Sequence, residues 1–255
     1  MKTNYILTIA GNDVLSGGGF QADLATFNRS GLFGFVAQTC MTSIDASGFE
    51  IIEAPSWLFE KQLKSLSAVP FSAIKIGLLP SVEIADQTLA FIKKYSEIPI
   101  VLDPVLVFKE NGDAATSLMK KRLLDLLPYV SITTPNLREA EILSDMTITT
   151  LSDMKKAAQV LYDKGAKFLV IKGGSRLDKH QAIDLFYDGK EMLELSSPVL
   201  HRNNNGAGCT FASSIASHLA LGKTVKEAVK EAKTFVYHAI EQSNEYGVRQ
   251  NYEKD

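Results

Sequence analysis

Short apolar runs rich in β-branched residues alternate along this chain with segments whose apolar positions recur at helical spacing. The pattern predicts a first strand over 6–10, a helix over 19–28 and a second strand over 33–41. A helix over 57–66, a third strand over 73–76, a helix over 82–95 and a fourth strand over 98–102 follow. Next come a helix over 117–127, a fifth strand over 130–133 and a short helix over 136–144. Thr150 and Asp153 have the spacing of a capping box for a helix that ends near Gly165, just before a sixth strand over 168–172. Runs over 183–187 and 191–195 flank Asp188-Gly189, a hairpin signal. Helices over 209–221 and 225–243 close the pattern, the second capped by Thr224 with Glu227.

Strands alternating with helices imply an α/β fold with a mostly parallel sheet covered on both faces, here with an antiparallel edge from the late hairpin. Ligands of such sheets bind outside the carboxyl ends of the strands. The polar motifs fall at those ends: Gly11-Asn12-Asp13, Asp103, Asn136 and Lys172, with the turn Gly206–Cys209 able to face the same rim.

Length and charge narrow the classes. A chain of 255 residues suits one α/β domain, and neither a repeat nor a long linker divides it. A net charge of −2 points to no nucleic-acid or acidic-membrane partner. The apolar runs are too short to span a bilayer, and the start of the chain lacks the pattern of a signal peptide. Two cysteines without metal-ligand spacing argue against a disulfide framework, so a cytoplasmic location is expected. Cys40 reads as a small core residue, Trp57 as a packing anchor, and the four histidines as structural or exposed.

The stretch Asn205-Gly206-Ala207-Gly208-Cys209-Thr210 runs straight into the apolar helical pattern of Phe211, Ile215 and Leu219. Free backbone N–H groups in such a turn, with a helix dipole behind them, make an anion site. Cys209 sits in the first turn, where a thiolate is stabilised, so a nucleophile or base stands beside an oxyanion cradle. A glycine-rich helix start over a buried cysteine has the same pattern, and the residues of this turn alone leave both readings open.

Seven segments taken together change that balance. They are Leu7-Thr8-Ile9-Ala10-Gly11-Asn12-Asp13, Ser16-Gly17-Gly18-Gly19-Phe20-Gln21-Ala22-Asp23, Lys75-Ile76-Gly77-Leu78-Leu79-Pro80, Leu102-Asp103-Pro104-Val105, Thr134-Pro135-Asn136-Leu137-Arg138-Glu139-Ala140, Val170-Ile171-Lys172-Gly173-Gly174 and the Gly206 turn. In this order and spacing the chain resembles the ribokinase-like vitamin kinases, the group of pyridoxal kinase and hydroxymethylpyrimidine (phosphate) kinase. The resemblance implies a ribokinase-like three-layer sandwich of residues 1–255 with a short lid near 106–116. It implies ATP as phosphoryl donor, Mg2+, a monovalent cation in some members, and a homodimer.

It also implies roles for single residues. The amides of Gly206, Ala207, Gly208 and Cys209 would form the anion hole for the γ-phosphoryl group, and Cys209, as a thiolate near neutral pH, would take the proton of the substrate hydroxymethyl group. Much of the wider superfamily has Asp at this place. Asp103, Asn136 and Glu139 would serve the phosphates and magnesium, Asp103 and Glu139 through water. Asn136 with Glu139 also fits a helix N-cap and capping box, and both roles can hold at once. Lys172 resembles a contact to the nucleotide phosphates, and Lys109 a lid lysine that reaches them on closure. Lys233 and Val236 of the last helix are candidates for the adenine side.

For the vitamin, Gly11 and Gly18 permit close approach to a flat ring, Asp23 would accept from a ring hydroxyl or nitrogen, Thr42 and Ile44 would flank the ring, and Leu78 would wall it. Pyrimidine kinases of the group carry Gln where this chain has Ile44; a side chain that can neither donate nor accept favours pyridoxine, pyridoxal or pyridoxamine. Some pyridoxal-type members carry a lid cysteine where this chain has Phe108, so covalent capture of the aldehyde there is not expected. Hydroxymethylpyrimidine kinase, a vitamin-binding protein without turnover, and a redox-sensing Cys209 remain alternatives.

Overall fold

The computed structural model describes residues 4–46, 48–106 and 112–251, without the side chains of 112–115. In chain order these residues form β1 (Tyr5–Ala10), α1 (Gly19–Arg29), β2 (Phe33–Gln38), β3 (Cys40–Asp45), β4 (Gly48–Glu53), α2 (Ser56–Leu66), β5 (Phe71–Ile76) and α3 (Val82–Ile92). There follow β6 (Ile100–Leu102), α4 (Gly112–Leu126), β7 (Ile132–Thr133), α5 (Leu137–Ser144), α6 (Leu151–Asp163), β8 (Leu169–Lys172), β9 (Gln181–Tyr187), β10 (Met192–Pro198), α7 (Ala207–Ala220) and α8 (Val225–Glu241).

The main sheet has the order β10-β9-β8-β7-β6-β5-β1-β2. Its strands run parallel from β2 to β8, and β9 and β10 form the antiparallel edge. Neighbouring residues of one strand enter opposite cores, as the period of a strand requires. Leu7, Ile9, Ile74, Ile76, Leu102 and Ile171 pack under α2 to α6, whereas Ile6, Ala73, Val101 and Val170 pack under α1, α7 and α8. Burial on both faces explains why these strands read as continuous apolar runs. Among the described residues no helix is long and apolar enough to cross a membrane.

The expected second strand is two strands. The chain leaves the sheet at Thr39, whose N–H donates to Ala10 O (3.0 Å) and whose hydroxyl donates to Leu78 O (2.7 Å). It continues as β3 and pairs antiparallel with β4 in a separate two-stranded flap that the periodicity did not show. Trp57 is largely exposed at the start of α2, so it is not the expected packing anchor; Phe59 and Leu63 are the residues that α2 buries. The capping boxes at Asn136, Thr150 and Thr224 are all present. Part of the expected lid, including Phe108 and Lys109, lies outside the described residues, and α4 begins at Gly112.

Candidate active site

Two cavities open along the carboxyl ends of the strands. The first, of about 580 Å³, lies between the β1–α1 loop, the β3–β4 flap and the start of α7. The second, of about 490 Å³, lies between the β8–β9 turn, the residues after β10 and α8. They meet at Asn136, Lys172 and Gly208, which line both. A ligand in one cavity can therefore touch a ligand in the other only across this junction.

The β1–α1 loop is held by its own polar groups. Asp13 accepts from the N–H of Leu15 (3.0 Å) and of Gly18 (2.7 Å), while the Gln21 amide clamps the main chain of Asp13 from both sides. Asn12 accepts from Thr42 N–H (2.6 Å), and the Thr42 hydroxyl accepts from Val14 N–H (2.9 Å). Thr42 thus lines the cavity but its hydroxyl ties the flap to the loop. Gly11 is small because a Cβ there would sit 2.2 Å from Cys40 Sγ; the close approach is to the protein's own sulfur, not to a ring. Gly18 is less constrained, since its Cβ would meet Asp13, Gly206 and Cys209 at 3.4–3.8 Å, ordinary contact distances.

Antiparallel pairing sets the faces of the flap. Ile44 lies opposite Phe49, and both line the first cavity while remaining 49% and 59% exposed. Leu78 lines it from the other side. Phe49 escaped the sequence reading because the apolar residues of its segment, Phe49, Ile51 and Ile52, fall on both faces of the strand and give no clean alternation.

Asp23 does not face the cavity, contrary to the expectation of a ring contact. It is fully buried, and its carboxylate accepts from Thr8 Oγ1 (2.6 Å), Lys75 Nζ (2.8 Å) and Ser213 Oγ. Lys75, also fully buried, is part of the lining of the first cavity and was not singled out from sequence. Burial disfavours its charge, but Asp23, Cys209 and Asp103 outweigh that and hold its pKa well above the ordinary lysine value. A desolvated ion pair of this kind is costly to break from one side.

At the start of α7, Gly206 has φ +81°, a left-handed conformation suited to glycine, and a Cβ there would overlap Gly17 O. Ala207 N–H donates to Asn204 O (3.0 Å), so it is not the open donor expected of it. Gly208 and Cys209 occupy the first turn, where amides have no intrahelical acceptor. A Cβ on Gly208 would come within 3.2 Å of Lys172 Nζ, so a side chain there would crowd that ammonium over the helix start.

The expectation of a thiolate near neutral pH does not hold for Cys209. Burial pushes its thiol up to about 11, with Asp23 and Asp103 adding to the shift; Lys75 and the Gly19 N–H oppose it without overcoming it. The helix start is not strong enough here to compensate for desolvation.

Around the junction, Lys172 Nζ pairs with Asp103 Oδ1 at 2.7 Å, and the Thr134 hydroxyl donates to the same oxygen (3.2 Å). Burial works against the charge of Lys172, but Asp103 and Glu139 raise its pKa. Glu139 accepts from Asn136 N–H (2.7 Å) in the capping box. Burial raises its carboxyl pKa to about 7; Lys172 pulls it down and Asp103 pushes it up. Among the described residues no three His, Cys, Asp or Glu are grouped to hold a metal by themselves.

In the second cavity, Lys233 and Val236 both contribute to the lining. Lys233 donates to Asp184 (2.7 Å) and to Ala182 O (3.0 Å), and Asp184 accepts from the N–H of Gly173 (3.0 Å) and Gly174 (3.4 Å). Lys233 therefore braces the turn beside Lys172. Asp184, the hub of this arrangement, was hidden in an otherwise apolar strand pattern.

The model of the phosphomethylpyrimidine kinase family matches residues 13–253. The pyridoxine kinase of Bacillus subtilis is 35% identical over 254 residues, 95% of this chain and 92% of that protein. The pyridoxal kinase from Staphylococcus aureus, solved in complex with pyridoxal, superposes with a TM-score of 0.90 at 38% identity, covering 98% of this chain and 94% of the other. Its complex with AMP-PCP gives 0.89. A phosphomethylpyrimidine kinase from Clostridium difficile 630 gives 0.79 at 32% identity, covering 93% of this chain and all (100%) of the other. With the junction of two cavities at a glycine-rich helix start, these likenesses place the chain in the phosphomethylpyrimidine kinase family, within the ribokinase-like fold.

Proposed function

We propose that this protein transfers the γ-phosphoryl group of ATP to the hydroxymethyl oxygen of pyridoxal, pyridoxine or pyridoxamine. The observation that carries the reading is the meeting of the two cavities at Asn136, Lys172 and Gly208, with Cys209 on the first cavity's side. The vitamin occupies the first cavity and the nucleotide the second. The hydroxymethyl oxygen attacks the γ-phosphorus, the bond to the β-phosphate oxygen breaks, and ADP leaves. The amides of Gly208 and Cys209, with the Lys172 ammonium, take up the charge on the transferring group. The proton of the attacking hydroxyl passes to the Cys209 sulfur in its thiolate form, the minor fraction at neutral pH.

Magnesium, when bound with the nucleotide, neutralises phosphate charge. The residues present fit an ion that arrives with its own ligands: Asp103 and Glu139 offer hard oxygens, but the described residues form no complete protein cage. Asp103 and Glu139 would hold such an ion through water.

Ile44 and Phe49 choose the substrate. Both present apolar surface to the ring, where an aminopyrimidine edge needs a hydrogen-bond partner. The pyrimidine alternative draws support from the family model and from the Clostridium difficile likeness, but at this position it lacks a polar side chain. The test is transfer of label from γ-labelled ATP to pyridoxal in the presence of magnesium. Label should appear on the vitamin with the wild type and fall by about 10²-fold or more with Cys209→Ala. No transfer to either ring by the wild type would leave the non-catalytic binding reading in its place.

The chain acts as a homodimer in this reading. On the outer face of the flap Met41 and Ile52 lie directly opposite one another and are exposed, and Trp57 is exposed shortly after β4. Met41→Glu should shift sedimentation to the monomer.

A further inference from the structure

The loop that precedes α7 has no regular structure of its own, yet Gly206 must be held in its left-handed conformation for the amides behind it to converge. One side of that loop rests on Gly17 of the β1–α1 loop. The other side is covered by the residues that follow α8. Asn203 Nδ2 donates to Asn244 O (3.1 Å) and Glu245 O (2.9 Å), and Asn205 Nδ2 donates to Tyr246 O (3.0 Å). Val248 N–H donates back to Asn205 O (3.0 Å). Two residues further on, Gln250 Nε2 donates to Thr210 Oγ1 (3.0 Å) in the first turn of α7, and both side chains are buried.

This segment is itself anchored. Asn244 Oδ1 accepts from Tyr246 N–H (2.9 Å) and Gly247 N–H (3.1 Å), and Arg249 N–H donates to Ala239 O of α8 (3.0 Å). At Gly247 three backbones meet: a Cβ there would lie 2.7 Å from Gly17 Cα and 2.8 Å from Asn205 O. None of residues 244–250 lines either of the two cavities that meet at Lys172.

We propose that residues 244–250 are a positioning strap for the anion-binding loop, acting through Asn205 and through Gln250 on Thr210, and that the strap serves the transfer step and not the binding of either substrate. The proposal rests on the kinase reading above. Donors aimed at the transferring group act mainly in the transition state, and a misplacement of about 1 Å can cost about 10²-fold in rate. A group that touches neither substrate but fixes those donors should therefore change kcat and leave both KM values alone.

Gln250→Leu removes the donor to Thr210, and Thr210→Val removes the acceptor from the other end with little change of shape. Each variant is compared with wild type for kcat, for KM of ATP and of pyridoxal, and for affinity towards MgADP with aluminium fluoride and pyridoxal. The proposal expects kcat to fall about tenfold or more with both KM values within about twofold. Affinity for the fluoride complex should fall by a similar factor while affinity for MgADP alone holds. Full kcat in the folded variants, or a loss confined to KM, would overturn it. If Gln250→Leu does not fold, Thr210→Val decides by the same criteria. A wild type that transfers nothing would bring down the kinase reading and this proposal with it; a competent wild type with unimpaired variants would sink the strap alone.

Discussion

Cys209 carries an opposition between two local effects. The helix start and Lys75 favour a thiolate, but burial and two carboxylates win and place the thiol at about 11. At neutral pH the sulfur is therefore protonated, and the thiolate fraction rises about tenfold per pH unit towards that value. If proton transfer to sulfur limits the rate, kcat/KM for pyridoxal should climb steadily between pH 7 and pH 10. Cys209→Asp, with a carboxylate already ionised across that range, should flatten the profile. A wild-type profile that is already flat would show that the transfer step does not depend on the thiolate.

Two buried groups nearby, both with raised pKa values, make stability predictions. The raised pKa of Lys75 means its ion pair with Asp23 contributes fully below the unfolded lysine value and is lost only as pH rises through the higher folded value. Lys75→Met leaves Asp23 charged with only the Thr8 and Ser213 hydroxyls as partners, so it should lower Tm by roughly 10 °C, with much of the loss recovered in Lys75→Met/Asp23→Asn. Glu139 behaves in reverse of an ordinary carboxylate. Its folded pKa of about 7 lies above the unfolded value of 4.5, so stability is present at low pH and declines as pH rises through that interval. Glu139→Gln keeps an acceptor for Asn136 and should melt higher than wild type at pH 8 but not at pH 4; equal melting at pH 8 would contradict the burial argument.

At the scale of elements, what was legible in the sequence followed from periodicity. The buried parallel strands are continuous apolar runs, and the capping boxes at Asn136, Thr150 and Thr224 announced their helices. The flap was not legible, because β3 and β4 carry residues that face a cavity on one side and open surface on the other. Ile44 and Phe49 line the first cavity while Met41 and Ile52 lie on the outer face, so apolar residues fall on both faces and no single alternation emerges. The same reasoning explains Asp23 and Lys75: a partner 52 positions away cannot be inferred from local spacing. The flap also gives a clean prediction. Phe49→Ala should raise KM for pyridoxal by about tenfold through lost ring contact and leave KM for ATP unchanged. An equal rise in both would mean that the flap shapes the site as a whole.

At the scale of the whole molecule, two cores on opposite faces of one sheet hold the strand ends in register, and the two cavities share one short junction on that rim. Most of the rim was foreseen, since Asp103, Asn136, Lys172 and the Gly206 turn each follow a strand or open a helix. What sequence could not show was which of these groups look outward and which serve the protein. Lys233 and Asp184 brace a turn, Thr42 and Asn12 tie the flap to a loop, and Asp23 holds a buried lysine. Ile44, Phe49 and Leu78 present apolar side chains to the first cavity, and that is the ground for choosing a pyridine over an aminopyrimidine.

The ratio of kcat/KM for pyridoxal to that for hydroxymethylpyrimidine, measured side by side with ATP and magnesium on the wild-type protein, tests that choice most directly. The account predicts a ratio of about ten or more in favour of pyridoxal, reversed or brought near unity by Ile44→Gln. A wild-type ratio below one would contradict it and return the protein to the pyrimidine branch of its family.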